Sequence, residues 1–313
     1  MNSDLLQKEK DAIERLKAFA PKDGEPYYLC YSGGKDSDCI RILAQLAGVK
    51  HEIHHNLTTV DAPETIQYIK SIPGVIIDKA RYDDGTPKTM WNLIPKKKIP
   101  PTRLARWCCS ELKESGGKGR LLITGVRWSE SQNRRDNQGG ITVIGKPKGT
   151  QRFLESQNVK FIVTKAGGVV LNFDNEILRD NSDIMSDCFR TRKTMLNPIV
   201  EWSDKDVWDF LHHYGCSANP LYQCGEARIG CIGCPLSGAK QQKKDFAKYP
   251  KYKQNYIKAF QRMVEYRESI GLTNDSTWKD GESVFRWWLG EDTNQLTLFA
   301  EEELNEAFAD MGI

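Results

Sequence analysis

The spacing of apolar and polar positions changes several times along the chain, and each change marks an element. Leu5, Leu6, Ala12, Ile13, Leu16 and Phe19 fall on one side of a 3.6-residue repeat, so residues 3–19 read as an amphipathic helix that Ser3 can cap. Pro21 and Gly24 end it. Residues 27–31 (YYLCY) form a short apolar run of the kind that fills a buried strand. Gly33 and Gly34 follow, and helical spacing then runs from Asp36 to Leu46. Residues 51–56 read as a second strand, 63–71 as a second helix, and 74–77 and 121–125 (LLITG) as further strands. Strands alternating with helices predict a parallel sheet in an α/β domain.

The pattern then changes. Residues 137–194 are rich in Gly, Lys and Asn and hold strand-like pieces (ITVIG, KFIVTK), which predicts an inserted β-hairpin at the sheet edge. From Asp204 onward the spacing is helical. Within 241–269, Lys243, Lys244, Lys248, Lys251, Lys253, Lys258, Arg262 and Arg267 alternate with Phe246, Tyr249, Tyr252, Tyr256, Phe260 and Tyr266. Such a segment either grips a nucleic-acid backbone and stacks on bases, or packs its aromatic face inward and leaves its lysines solvated. The expected organisation is an α/β domain from 1–136 and 195–240, an insertion at 137–194, a helical region at 241–290 and an acidic tail at 291–313.

Composition narrows the function. A formal net charge of +3 creates no whole-chain field that demands a polyanionic partner. With 39% hydrophobic and 28% charged residues the chain is globular. It has no long apolar run and no apolar segment at its N-terminus, so a cytoplasmic protein is expected. In a reducing compartment, the nine cysteines are better read as ligands or catalysts than as disulfides.

Ser32-Gly33-Gly34-Lys35-Asp36-Ser37 lies between a predicted strand and a predicted helix. Glycines turn the backbone sharply and expose N–H groups to an anion, and the helix N-terminus adds donors and a favourable dipole. Lys35 supplies a point charge for phosphate, Ser32 and Ser37 supply hydroxyls, and Asp36 suits a magnesium ion. Leu29 stands where a Walker loop needs its first glycine, and Asp36 follows the lysine in place of Ser or Thr. A second SGGK, at 115–118, precedes a predicted strand and reads as a solvated loop.

SGGKDS resembles the PP-loop of the N-type ATP pyrophosphatases, which cleave ATP to AMP and pyrophosphate. The chain is similar, over roughly residues 27–235, to the phosphoadenosine phosphosulfate (PAPS) reductase family of that superfamily. Val60-Asp61-Ala62-Pro63-Glu64-Thr65 looks like the family's D-x-P-E-T turn. Gly125-Val126-Arg127 with Glu130, Ser131 and Arg134 looks like its G-x-R-x-x-E-S-x-x-R motif. Asn197-Pro198-Ile199 with Trp202, Asp206, Val207 and Trp208 looks like its N-P-I-x-x-W-x-x-x-D-V-W segment. The resemblance implies a doubly wound, Rossmann-like parallel sheet that binds ATP at the C-terminal edge of its strands. Lys35 and Asp36 would act on the phosphates, and Ser32, Gly33, Gly34, Ser37, Asp61, Gly125, Arg127, Glu130 and Arg134 would line the site. Arg127 and Arg134 can bind phosphate bidentately, and Glu130 can orient an arginine or hold metal.

Cys231-Ile232-Gly233-Cys234 can point two thiolates at one centre, and Cys108-Cys109 is a vicinal pair. Four thiolates suit a structural zinc or a 4Fe–4S cluster. Cys216 and Cys224 are alternative ligands in a local set with the C-x-x-C. Cys30, Cys39 and Cys188 read as core thiols. The resemblance implies the 4Fe–4S choice on Cys108, Cys109, Cys231 and Cys234, because adenylylsulfate-reducing members carry such a pair and a downstream C-x-x-C. The separation between Cys109 and Cys231 is longer than expected for those enzymes, and the insertion accounts for much of it. The five histidines form no H-E-x-x-H pattern, and no G-x-S-x-G occurs.

The reaction has three readings. An ATP-dependent adenylating enzyme that passes sulfur to an acceptor, including a nucleic acid, fits the intact SGGKDS. A PAPS or adenylylsulfate reductase fits it less well, since those enzymes carry a degraded loop and use a cysteine near the C-terminus. A nucleotide-binding subunit without turnover is the third.

Gln295-Leu296-Thr297-Leu298-Phe299 resembles the short peptide by which many bacterial replication and repair proteins dock on the sliding clamp. Alternatively, the segment folds back as core. If it docks, a peptide of residues 291–303 will bind a bacterial clamp at micromolar strength, and Leu298→Ala with Phe299→Ala will remove the binding. Loss of thermal stability in the double variant, with no clamp binding by the parent chain, identifies the segment as core.

Overall fold

In the computed structural model, residues 2–145, 147–172, 193–272 and 277–291 are described, so Cys188 and the 295–299 segment lie outside the described residues. The chain divides into two compact units. The first comprises Met1–His55, Glu64–Ile77 and Gly117–Ile229; the second comprises Asn56–Pro63, Asp78–Gly116 and Gly230–Ile313.

The first unit is an α/β sheet domain. Its strands are β1 (Tyr27–Cys30), β2 (His51–Asn56), β3 (Val75–Asp78), β4 (Leu121–Ile123), β5 (Ile141–Val143), β6 (Ile162–Val163), β7 (Val169–Leu171) and β8 (Thr194–Leu196), in the spatial order β3-β2-β1-β4-β8-β5-β7-β6. β1 pairs in parallel with β2 and β4, and β4 pairs in parallel with β8, so Leu29, Ile53, Ile123 and Leu196 fall in one row of the sheet. The 137–194 segment adds the antiparallel strands β5, β7 and β6, with β6 and β7 forming the expected hairpin at the edge. Of KFIVTK, only Ile162 and Val163 pair.

From β1 the chain steps outward to β2 and β3, then returns to the other side of β1 at β4. That reversal opens a crevice at the strands' C-terminal ends, the usual ligand position in such sheets. Helix α1 (Ser3–Ala18), capped by the Asn2 side chain on Leu5 N–H at 2.8 Å, packs on α2 (Lys35–Ala47). Ser3, the expected cap, is the first helical residue; the oxygen that reaches back belongs to Asn2. Helix α3 (Pro63–Ser71) buries Thr65 and Ile69.

The second unit is helical. Its elements are α4 (Met90–Lys97), a single π-helical turn at Cys109–Lys113 and, after the first unit's α5 (Gln132–Asn137), α6 (Lys148–Ser156) and α7 (Asp204–His213), the helices α8 (Ala239–Lys248), α9 (Pro250–Ser269) and α10 (Gly281–Trp288). Residues 78–116 therefore group with the C-terminal helices. The reason is aromatic packing: Trp91 meets Tyr256 edge-on at 5.1 Å, Tyr256, Phe285 and Trp288 pack around Phe246, and Phe260 lies against the same three rings. Buried Arg267 donates to Lys98 O at 2.9 Å, satisfying a carbonyl at the end of α4, and stacks on Trp278. Of the two readings of 241–269, the structure takes the inward one for Phe246, Tyr256 and Phe260, all buried, while Lys243, Lys244, Lys248, Lys251 and Lys258 are exposed. Among the described residues, no helix is long and apolar enough to cross a membrane.

Phe260 is fully enclosed, so Phe260→Ala is expected to cost about 3–5 kcal/mol. Lys251→Ala, on the exposed side of the same helix, should stay within about 0.5 kcal/mol. Urea unfolding followed by circular dichroism reads both.

Candidate functional site

The loop after β1 is built for close approach. Gly33 has φ +72°, and a Cβ there would sit 2.9 Å from Ile69 Cγ1, so both conformation and space call for glycine. Asn219, fully buried, donates to Gly33 O at 3.0 Å and to Thr65 Oγ1 at 3.2 Å, which fixes the turn. Gly34 opens α2, its N–H donates to Ser37 Oγ at 3.1 Å, and the Ser37 hydroxyl donates back to Gly34 O at 2.7 Å. Lys35 N–H donates to Tyr222 Oη at 3.0 Å.

The returning strand β4 reaches the same point. A Cβ on Gly125 would fall 2.9 Å from Asp36 O, so backbone lies against backbone. Arg127, two residues on, is buried and makes four contacts: Asp36 Oδ1 at 2.6 Å, Asp204 Oδ1 at 3.0 Å, Ser129 Oγ at 2.7 Å and Trp202 O at 3.3 Å. Lys35 Nζ lies 3.1 Å from the same Asp204 oxygen and over the rings of Tyr222 and Trp208 at 5.6 and 6.0 Å. Burial raises the Asp204 carboxyl, but hydrogen bonds and charge from Lys35 and Arg127 outweigh it and hold the group below its usual range. Glu130 accepts from Arg127 N–H at 3.2 Å and pairs with Arg134, with Arg228 at 3.9 Å.

The second unit gathers the other candidate chemistry. Cys108 precedes the π turn, whose Glu114 N–H donates to Cys109 O at 2.8 Å. The Cys108 thiol feels the charges of Cys109, Cys231 and Cys234, and buried Tyr256 feels those of Cys108, Cys231 and Cys234; all four cysteines belong to the second unit. A hydrogen bond from Cys108, helped by the Arg106 guanidinium at 3.7 Å, holds Cys109 low, at about 6, and Cys108 is pushed up by the same bond and by burial. Burial, with the Asp61 charge beside it, pushes Cys231 up to about 12. The turn between Cys231 and Cys234 is pinned: Gly233 has φ +72°, a Cβ there would meet Phe246 Cζ at 2.4 Å, and Gly233 N–H donates to Asp245 Oδ2 at 2.9 Å. Among the described residues, no three His, Cys, Asp or Glu side chains are grouped as a metal-ion site.

The family profile described as phosphoadenosine phosphosulfate reductase domain matches residues 26–237. The chain belongs to this family. An uncharacterized protein of Methanocaldococcus jannaschii is 24% identical over 91% of this chain and 60% of its own length. A second uncharacterized protein of the same organism is 22% identical over 78% of this chain and 43% of its own length. The chain thus spans three fifths or less of these two relatives. An adenosine 5'-phosphosulfate reductase of Allochromatium vinosum is 41% identical over 12% of this chain and 15% of its own length.

The first unit of this PAPS reductase family chain brings together Ser32, Gly33, Gly34, Lys35, Asp36, Ser37, Gly125 and Arg127. Glu130 and Arg134 pair with each other beside them. Asp61 belongs to the second unit, where its Oδ2 accepts from Thr58 N–H at 2.8 Å and its backbone bridges to Cys231. Cys216 sits in the first unit beside Arg41, at 3.8 Å, with Asp38 and Tyr68 nearby, and Cys224 is exposed in that unit. The 115–118 segment leads into β4 without a helix, as expected of a solvated loop. Asp204, Asn219 and Tyr222 are site residues that sequence reasoning missed. Asp204 had a local signal, as the residue after the capping Ser203 inside the N-P-I-x-x-W-x-x-x-D-V-W segment; the other two had none.

Gly125→Ala forces the Asp36 backbone away and is expected to destabilise the first unit by about 1–3 kcal/mol. Urea midpoints measure it; an unchanged midpoint refutes the close-approach account.

Proposed function

We propose that the chain is an ATP-dependent adenylating enzyme that cleaves ATP to AMP and pyrophosphate and passes sulfur to an acceptor. The observation that carries the reading is the strand–SGGKDS–helix turn at the sheet's reversal point, with Lys35 at its centre and Gly125 and Arg127 closing it. An acceptor oxygen would attack the α-phosphorus, the bond to the pyrophosphate oxygen would break, and a sulfur nucleophile would then displace AMP. Lys35 would stabilise charge on the departing pyrophosphate, with the N-terminal end of α2 adding a favourable dipole. Magnesium would sit on phosphate oxygens and the Asp36 carboxylate. Arg127 positions Asp36, and Glu130 holds Arg134 in reach of the same edge.

Cys108, Cys109, Cys231 and Cys234 would hold a 4Fe–4S cluster. Their membership of one unit favours this set over one that includes Cys216, which has its own partners in the first unit. Such a cluster supplies electron transfer or a site for sulfur. The relatives named adenosine 5'-phosphosulfate reductase favour reduction of an adenylylated sulfate as the second reading. The intact loop favours ATP cleavage.

Anaerobic purification with iron, sulfide and visible absorption measurements, joined to pyrophosphate release from ATP, tests both halves. Iron and sulfide in a four-to-four ratio, lost in Cys108→Ser and Cys231→Ser and kept in Cys39→Ser, are expected; stoichiometric zinc without iron rejects the cluster. Lys35→Ala should weaken ATP binding by about 1.5–3 kcal/mol. Equal calorimetric affinity in parent and variant refutes the phosphate role.

A further inference from the structure

Asp204 holds an uncommon position for a solvent-facing carboxylate. A single oxygen, Oδ1, meets Lys35 Nζ at 3.1 Å and Arg127 Nη2 at 3.0 Å. The two cations have left water, with side chains 8% and 2% exposed, whereas the Asp204 side chain is 63% exposed. In an ordinary surface ion pair all partners stay hydrated and little is gained. Here a hydrated anion stands on the open side of two dehydrated cations.

The helix does not need this carboxylate. The N-terminus of α7 is closed by Ser203 and Asp206: Asp206 N–H donates to Ser203 Oγ at 3.1 Å, and Ser203 N–H donates to Asp206 Oδ2 at 2.8 Å. Asp204 is thus the first helical residue, with its side chain committed to Lys35 and Arg127. Arg127 does not depend on it either, since Nε holds Asp36 and Nη1 holds Ser129 and Trp202 O. Removing Asp204 from the cluster would leave the guanidinium anchored and Lys35 without its carboxylate, with Tyr222 and Trp208 still flanking it.

We propose that Asp204 is the resident competitor of phosphate at the SGGKDS loop, an anion that neutralises Lys35 until a polyphosphate displaces it. The inference rests on the proposed phosphate role of the loop. The exchange makes and breaks no covalent bond: one anion leaves the Lys35 ammonium and another takes its place. A ligand with a single phosphate brings about 1.5 to 2 negative charges to Lys35 against the one of the carboxylate. A pyrophosphate or nucleoside triphosphate adds further charge and oxygens at the same ammonium, so it outcompetes the carboxylate more strongly. The competitor thereby favours the more highly charged phosphate ligand.

Calorimetric titration of the full chain with inorganic pyrophosphate, ATP and adenosine tests this, using the parent, Asp204→Asn and Asp204→Ser. The neutral variants are expected to bind pyrophosphate and ATP roughly tenfold tighter, from removal of a like charge near the ligand, and adenosine with unchanged affinity. Melting temperature confirms that at least one variant is folded; serine at this helix start keeps the local geometry with no charge. Equal pyrophosphate affinity in parent and variants overturns the competitor role and leaves the loop reading intact. Weaker binding in the variants also overturns it, because Asp204 would then help hold the ligand. If parent and variants all fail to bind either phosphate compound, the loop reading falls and the inference falls with it.

Discussion

The first unit depends on one buried guanidinium. Arg127 lies at the point where β4 turns back toward the loop after β1, and it ties Asp36, Asp204, Ser129 and Trp202 O into one hydrogen-bonded knot. A buried charge survives only if its donors are paired. Asp36, at 2.6 Å, supplies the carboxylate that compensates the buried cation, and the loop, the β4 exit and the start of α7 are joined through a single side chain. Arginine suits this task because its planar fork reaches several acceptors at once; lysine, with a point charge, cannot.

The same constraint explains where glycine is required. Gly125 lets backbone touch the Asp36 backbone, and Gly33 lets the turn close over Ile69 and Thr65. These contacts close the SGGKDS turn against α3 on one side and the exit of β4 on the other. In the second unit Gly233 does comparable work against Phe246, and the aromatic core beneath it sets the positions of Cys231 and Cys234. Both candidate sites are backbone turns stiffened by a close neighbour, which keeps their functional atoms in place without a ligand.

Much of this was legible in the chain. The alternation of strand and helix spacing, the SGGKDS loop and the edge hairpin follow from local periodicity and turn chemistry, and the structure has them where that chemistry puts them. What was not legible is long-range pairing. Nothing near Arg127 says that its charge meets Asp36 and Asp204, or that Asn219 holds Gly33 O. Nothing near Met90 or Trp91 says that they join the C-terminal helices. Local sequence encodes hydrogen bonds a few residues apart; contacts across the chain depend on which surfaces the fold brings together. The 241–269 segment shows the ambiguity: its composition suits a nucleic-acid grip and a helix core equally, and only its aromatic neighbours decide.

The second unit is woven from three separate stretches of chain, and Cys108 and Cys109 lie on a different stretch from Cys231 and Cys234. On a ribosome adding roughly 5–20 residues per second, the first pair leaves the exit tunnel well before the second. During that interval α4 has no α9 to pack on. The order of synthesis therefore makes the second unit a late-maturing body. Its assembly waits on the helices that follow Gly230.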